Sequence, residues 1–135
     1  MKSKRGFTLV EILIVVVILG ILAAIVIPQF TNASTEAKLS SLKSDLQTVR
    51  SQIELYKIQH DDSPPTAALF VTQMTVPDAN GGPYMQKVPV NPFSGGDSVT
   101  ADGSGGDWKL ETASGVTTFT AADGGSEGGV DHSTL

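Results

Sequence analysis

Between Phe7 and Ile27 run 21 consecutive residues of which only Thr8 and Glu11 are polar. A helix rising 1.5 Å per residue makes that run roughly 31 Å long, the hydrocarbon thickness of a bilayer. Lys2, Lys4 and Arg5 stand before it and no further positive charge follows until Lys38. By the positive-inside rule, the amino terminus stays in the cytoplasm and the rest of the chain crosses. In a chain of 135 residues, the remainder suffices for one small extracytoplasmic domain. Three other readings of the run remain open. It can be a signal peptide cut after Thr31-Asn32-Ala33, an inert anchor, or the core helix of a soluble fold. Against the first, the run is long for a signal sequence and carries an acid near its start.

That acid is the informative residue. A carboxylate inside a spanning helix costs on the order of 2.5 to 3.5 kcal/mol on insertion scales, less near an end where it can reach the interface. Phe7, Thr8, Ile14 and Val15 occupy the positions one helical turn from Glu11, so no side-chain cation lies within that reach. Cutting the chain at Gly6-Phe7 would create an α-amino group that is positively charged near neutral pH. On this chain or a neighbour, it would be drawn to Glu11 in a low-dielectric setting.

The succession Lys2-Ser3-Lys4-Arg5-Gly6, then Phe7-Thr8-Leu9-Val10-Glu11 and an apolar run ending at Pro28, resembles the prepilin leader and first helix of type IV pilins and type II secretion pseudopilins. The resemblance implies a prepilin peptidase that cleaves after Gly6 and methylates the new amino-terminal Phe7. It also implies that Glu11 pairs with the amino terminus of a neighbouring subunit during filament assembly. Pro28 would mark the point where the helix bends or locally melts in filaments. Independently, proline removes a backbone hydrogen bond and crowds the preceding turn.

Beyond Pro28, Leu39, Leu42, Leu46, Val49, Ile53 and Tyr56 recur at steps of three and four, a helical stripe. Lys38, Lys43, Asp45, Gln47, Arg50 and Lys57 lie off it, on a face read as solvated. The stripe is expected to pack on the chain's own carboxyl-terminal half, although the spacing also suits a coiled coil. The resulting division is a basic leader over residues 1–6, a long helix over 7–59 (transmembrane over 7–27, amphipathic over 28–59), and a small domain over 60–135.

Turn-formers Asp61-Asp62-Ser63-Pro64-Pro65 end the helix, and Ala67 to Val71 forms a helical turn or loop. Strands are expected at Tyr84 to Val88, Trp108 to Glu111 and Thr117 to Thr120, the last two joined by a turn at Ser114-Gly115. The fold class is α+β: a long helix on a small antiparallel sheet with a glycine-rich carboxyl-terminal loop. Trp108, Leu110, Phe119, Tyr84 and Phe93 should form its core. The landmarks Gly82-Pro83-Tyr84-Met85, Val88-Pro89-Val90-Asn91-Pro92-Phe93, Ala122-Asp123-Gly124-Gly125 and Glu127-Gly128-Gly129 are similar to those of the major pseudopilins of type II secretion. Ser63-Pro64-Pro65-Thr66 stands where that family usually has Tyr-Pro-Thr. The resemblance implies a structural calcium in the terminal loop, at Asp123 and Asp131 with backbone carbonyls. Asp102 and Asp107 offer a weaker alternative.

The chemistry is otherwise bounded by composition. Without cysteine, disulfides and thiolate chemistry are excluded. From residue 60 onward two lysines face ten carboxylates, a balance that disfavours nucleic acid as a partner of this half. His60, beside Asp61 and Asp62 at the helix end, is read as structural, and His132 as merely terminal. Neither G-x-S-x-G nor a nucleotide-binding glycine loop is present, so no enzyme is expected. The expected function is a subunit stored in the bacterial inner membrane that polymerises into a type II secretion pseudopilus. Its partners would be further copies of itself, minor pseudopilins or pilins, an inner-membrane assembly platform, prepilin peptidase and membrane lipid. A type IV pilus subunit and a signal-anchored binding protein are the alternatives.

Overall fold

A computed structural model describes residues 6–127 and 130–135; the leader residues Lys2, Ser3, Lys4 and Arg5, and Gly128 and Gly129 of the terminal loop, lie outside them. The chain divides into two compact units, Met1–Thr35 and Glu36–Leu135. Helix α1, Leu9–Gln59, is 51 residues long and contains the division.

In the first unit the apolar side chains from Phe7 to Phe30 are exposed, and the hydrophobic window is not buried within the chain. A helix is the conformation that lets such a segment enter lipid, because it satisfies its backbone polar groups internally. The helix is unbroken through Pro28. Proline has no N–H to donate to the carbonyl of Ala24, which leaves a weak point in an otherwise regular ladder.

The second unit is built on the stripe. Leu42, Leu46, Val49, Ile53 and Tyr56 are buried, and Leu39 is half-buried. They share one core with Phe70, Met74, Tyr84, Val88, Trp108, Leu110, Phe119 and Ala121, and Phe93 packs at its margin. The helix ends because Asp61 and Asp62 adopt left-handed φ values of 50° and 63°. The N–H of Asp62 then reaches back to the carbonyl of Lys57 at 2.9 Å, the long bond of a Schellman-type end. The segment expected as a turn or loop from Ala67 is a 3₁₀ turn, Ala67–Leu69, followed by helix α2, Phe70–Thr75. Phe70 and Met74, one turn apart, enter the core.

The sheet differs from the expectation in one strand. β2 (Trp108–Ala113) and β3 (Val116–Ala121) form the expected antiparallel hairpin, pairing Trp108 with Ala121 and Leu110 with Phe119. Ser114 and Gly115, both at positive φ, make its tight turn. The third strand, β1, is Val99–Thr100 and runs parallel to β2, so the sheet is mixed. Tyr84 to Val88 is not a strand. It lies between Pro83 and Pro89, which donate no ladder bonds, and the N–H groups of Tyr84 and Met85 both turn to the carbonyl of Met74, at 2.9 and 3.0 Å. A second ribbon follows, in which β4 (Ser126–Glu127) pairs antiparallel with β5 (Val130–Asp131), and a 3₁₀ turn, His132–Thr134, comes after it.

Arg50 and His60 are among the side chains that join the helix and its end to the rest of this unit, as is Gln59, whose Oε1 accepts from the Tyr84 hydroxyl at 2.7 Å. Arg50, read from sequence as solvated, donates from Nε and Nη2 to the carbonyl of Phe119 at 3.0 and 2.8 Å. His60 has a structural role but a different partner from Asp61 and Asp62. Its Nε2 lies 2.7 Å from Asp78 Oδ2 and its Nδ1 2.9 Å from the carbonyl of Tyr56, with the two rings stacked at 3.8 Å. The loop carrying Asp78 folds back onto the helix end, bringing a carboxylate distant in sequence into line with the ring.

Candidate assembly site

Gly6 and Phe7 precede α1, and Phe7 is 85% exposed. A Cβ placed on Gly6 meets nothing within 4 Å, so packing within the described residues makes no demand for glycine there. Thr8 and Glu11 form a reciprocal cap at the helix start. The backbone N–H and the hydroxyl of Thr8 both donate to Glu11 Oε2 at 2.7 Å, and the N–H of Glu11 donates to Thr8 Oγ1 at 3.2 Å. This is the capping-box geometry, which satisfies two of the donors every helix start leaves open. Its signature, Thr followed three residues later by Glu, is legible in the sequence at Thr8 and Glu11.

The cap changes the electrostatic account of Glu11 without completing it. One carboxylate oxygen accepts two short bonds, which offsets part of the desolvation cost. Among the described residues, no cation pairs with Glu11, and Oε1 accepts from none. A negative charge at the positive end of the helix dipole is favourable, yet it remains a net charge on an apolar segment. The carboxylate is therefore held in a fixed rotamer with one oxygen open to an external donor.

The carboxyl-terminal acids are arranged differently from the expectation. Asp123 Oδ2 lies 3.0 Å from His132 Nδ1, and its Oδ1 accepts from the N–H of Gly125 at 3.3 Å. Asp131 Oδ1 accepts from the N–H and hydroxyl of Ser133 at 2.9 and 2.7 Å, and these bonds hold its carboxyl below the usual range. Calcium requires six to eight oxygens. Among the described residues no group of three or more His, Asp or Glu is gathered to hold a metal. Asp123 and Asp131 each have protein partners of their own, His132 and Gly125 for the one and Ser133 for the other, an arrangement that does not call for a calcium ion. Asp102 and Asp107 also diverge. Asp102 caps the N–H of Ser104 at 2.9 Å, whereas Asp107 turns to the N–H and hydroxyl of Ser98 at 3.0 and 2.6 Å. Hydrogen bonds from Ser94 and Ser98 hold the Asp107 carboxyl below the ordinary range.

A long apolar helix with a single capped carboxylate, leading into a small α+β head, is the type IV pilin-like architecture. A family described as the prokaryotic N-terminal methylation motif matches residues 1–27. Over 97% of its length the chain is 32% identical to the type II secretion system core protein G of Pseudomonas aeruginosa, covering 92% of that protein. It is 29% identical to the same protein of Vibrio cholerae, over 96% of this chain and 87% of that one. Identity with the protein of Escherichia coli is 28%, over 82% and 81% of the two chains. No solved structure matches. The chain belongs to the type II secretion system core protein G family.

Proposed function

We propose that the chain is a major pseudopilin: a structural, non-catalytic subunit that polymerises through its first helix into the pseudopilus of a type II secretion system. It is held in the bacterial inner membrane as a single-pass protein, amino terminus cytoplasmic and residues 60–135 outside, in accord with Lys2, Lys4 and Arg5 before the apolar run. A prepilin peptidase removes residues 1–6 and methylates Phe7. In the filament, the amine of one subunit's Phe7 meets the Glu11 of another, and Pro28 lets the helix bend or melt as subunits pack. Minor pseudopilins and an inner-membrane assembly platform are the further partners.

The observation that carries this reading is the state of Glu11. It is a carboxylate on an exposed apolar helix, four residues from a Gly-Phe junction, clamped by Thr8 and lacking a cation among the described residues. Cleavage at Gly6-Phe7 creates the missing charge and removes a basic leader that cannot follow an apolar helix into a bundle. The likeness to core protein G over nearly the whole chain favours the secretion pseudopilus over a type IV pilus.

Amino-terminal sequencing and mass analysis of the membrane-extracted protein test the processing step. The expected product begins at Phe7 and carries one added methyl group. A start at Ser34 identifies an ordinary signal peptide, and an intact Met1 identifies an inert anchor; either result refutes the processing.

A further inference from the structure

His132, read from sequence as terminal, is fully buried. Its Nδ1 faces Asp123, whose side chain is 5% exposed. A carboxylate can only accept, so Nδ1 carries the hydrogen and donates it. Nε2 is buried without a hydrogen-bond partner among the described residues. The ring also packs on Phe93, with centroids 4.0 Å apart, and the ammonium of Lys38 lies over the Phe93 ring, 5.6 Å from its centroid. The His132 N–H donates to the carbonyl of Gly125 at 3.1 Å. Ring and backbone of one residue thus tie the chain on both sides of the β4–β5 ribbon, Asp123 and Gly125 before it and His132 after it.

A cation in a terminal loop would do the same work, binding two loop ends and neutralising their carboxylates. Here, among the described residues, several of the oxygens it would use are already committed. Asp123 is shared between His132 and Gly125, the Gly125 carbonyl takes the His132 N–H, Asp131 Oδ1 takes Ser133, and the Asp131 carbonyl takes the Thr134 hydroxyl at 2.7 Å.

We infer that in this chain the carboxyl-terminal loop is closed by the buried His132 ring, bonded to Asp123 and packed on Phe93, in place of a divalent cation, so that the fold is independent of calcium. His132 is a positioning residue. The inference concerns the closure of the loop and stands whether or not the subunit forms filaments.

The test is thermal unfolding of the full chain in detergent, followed by the fluorescence of Trp108, which is fully buried in the core. The wild type is melted in millimolar calcium and in chelator at one pH. The expected midpoints agree to within about 1 °C, whereas calcium bound at 100-fold its dissociation constant would raise the midpoint by roughly 10 °C or more. A calcium-dependent rise in the wild type overturns the inference, and this comparison needs no variant. His132→Ala and Asp123→Ala should each lower the midpoint by several degrees, equally in both buffers, with the double variant losing less than the two single losses combined. His132→Asn, which keeps a donor near the place of Nδ1, should lose less than His132→Ala. An unchanged midpoint in His132→Ala overturns the role of the ring.

Discussion

Replacing Arg50 with methionine tests how the helix is fixed to the sheet. Strand β3 is the edge of the order β1-β2-β3, and Phe119 directly opposes Leu110 of β2. The Phe119 carbonyl points away from β2 and would be an open acceptor on a free edge, the kind of feature that invites strand addition. Arg50 covers it with two bonds at 3.0 and 2.8 Å. Methionine keeps most of the apolar stem and removes both donors. Hydrogen bonds to charged groups contribute about 1.5 to 3 kcal/mol, and an acceptor left unpaired where water enters poorly costs a comparable amount. The carbonyl is only part-buried, so the lower end applies. A loss of about 1.5 kcal/mol corresponds to a midpoint lower by roughly 6 to 12 °C for a domain of this size. Arg50→Lys, with one flexible ammonium in place of a planar fork, should recover less than half of that. The assay is again the Trp108 melt of the full chain. If Arg50→Met melts within experimental scatter of the wild type, Arg50 is the solvated cation its position off the stripe suggested, and the account of the sheet edge fails.

The His60–Asp78 pair predicts a pH window. Its hydrogen bond to Asp78, helped by the one to the Tyr56 carbonyl, raises the His60 pKa above its usual 6.5, and that contribution is complete below 6.5 and is lost as pH rises through the folded-state value. Chiefly through the His60 hydrogen bond and that from Asn80, Asp78 is held below its usual 3.8; its contribution is present above 3.8 and is lost as pH falls through the folded-state value. Stability from the pair should therefore be greatest between those two ordinary values. His60→Phe, which keeps a ring on Tyr56, should show a smaller fall in midpoint than the wild type between about pH 6 and pH 9, and parallel falls would refute the pairing. Gly96→Ala should lower the midpoint by several degrees, because a Cβ there would overlap the Asp107 carboxylate and displace its bonds to Ser98. An unchanged melt would mean that this loop gives way freely.

The elements visible in the sequence are those specified by their own residues. The stripe from Leu42 to Tyr56 needs only its period, and the β2–β3 hairpin needs alternating side chains around Ser114-Gly115. The Thr8–Glu11 cap was equally local and equally legible. What escaped was specified at a distance. Val99–Thr100 is a strand because β2 lies beside it, and two residues carry no period. Tyr84 to Val88 has strand-like composition, but its prolines and the waiting carbonyl of Met74 decide otherwise. Asp78 reaches His60 across 18 residues and Phe119 meets Arg50 across 69, separations no local pattern encodes. The partner of Asp123 in the terminal loop is hidden for the same reason. Asp123 and Asp131 look like an unpartnered pair until folding delivers His132 into the core beside one of them.

The central claim, that Glu11 is the contact through which subunits polymerise, is tested most directly by Glu11→Gln. The amide nearly preserves size and can still accept from Thr8, so the helix start and membrane insertion should persist, while the charge that attracts the Phe7 amine of a neighbour is gone. The measurement is the ratio of sheared filament to membrane-held subunit at equal expression. The account predicts that this ratio falls by an order of magnitude or more, since losing about 1.4 kcal/mol at each subunit contact already changes its equilibrium tenfold. A ratio equal to that of the wild type, with the variant processed normally at Gly6-Phe7, would contradict the account.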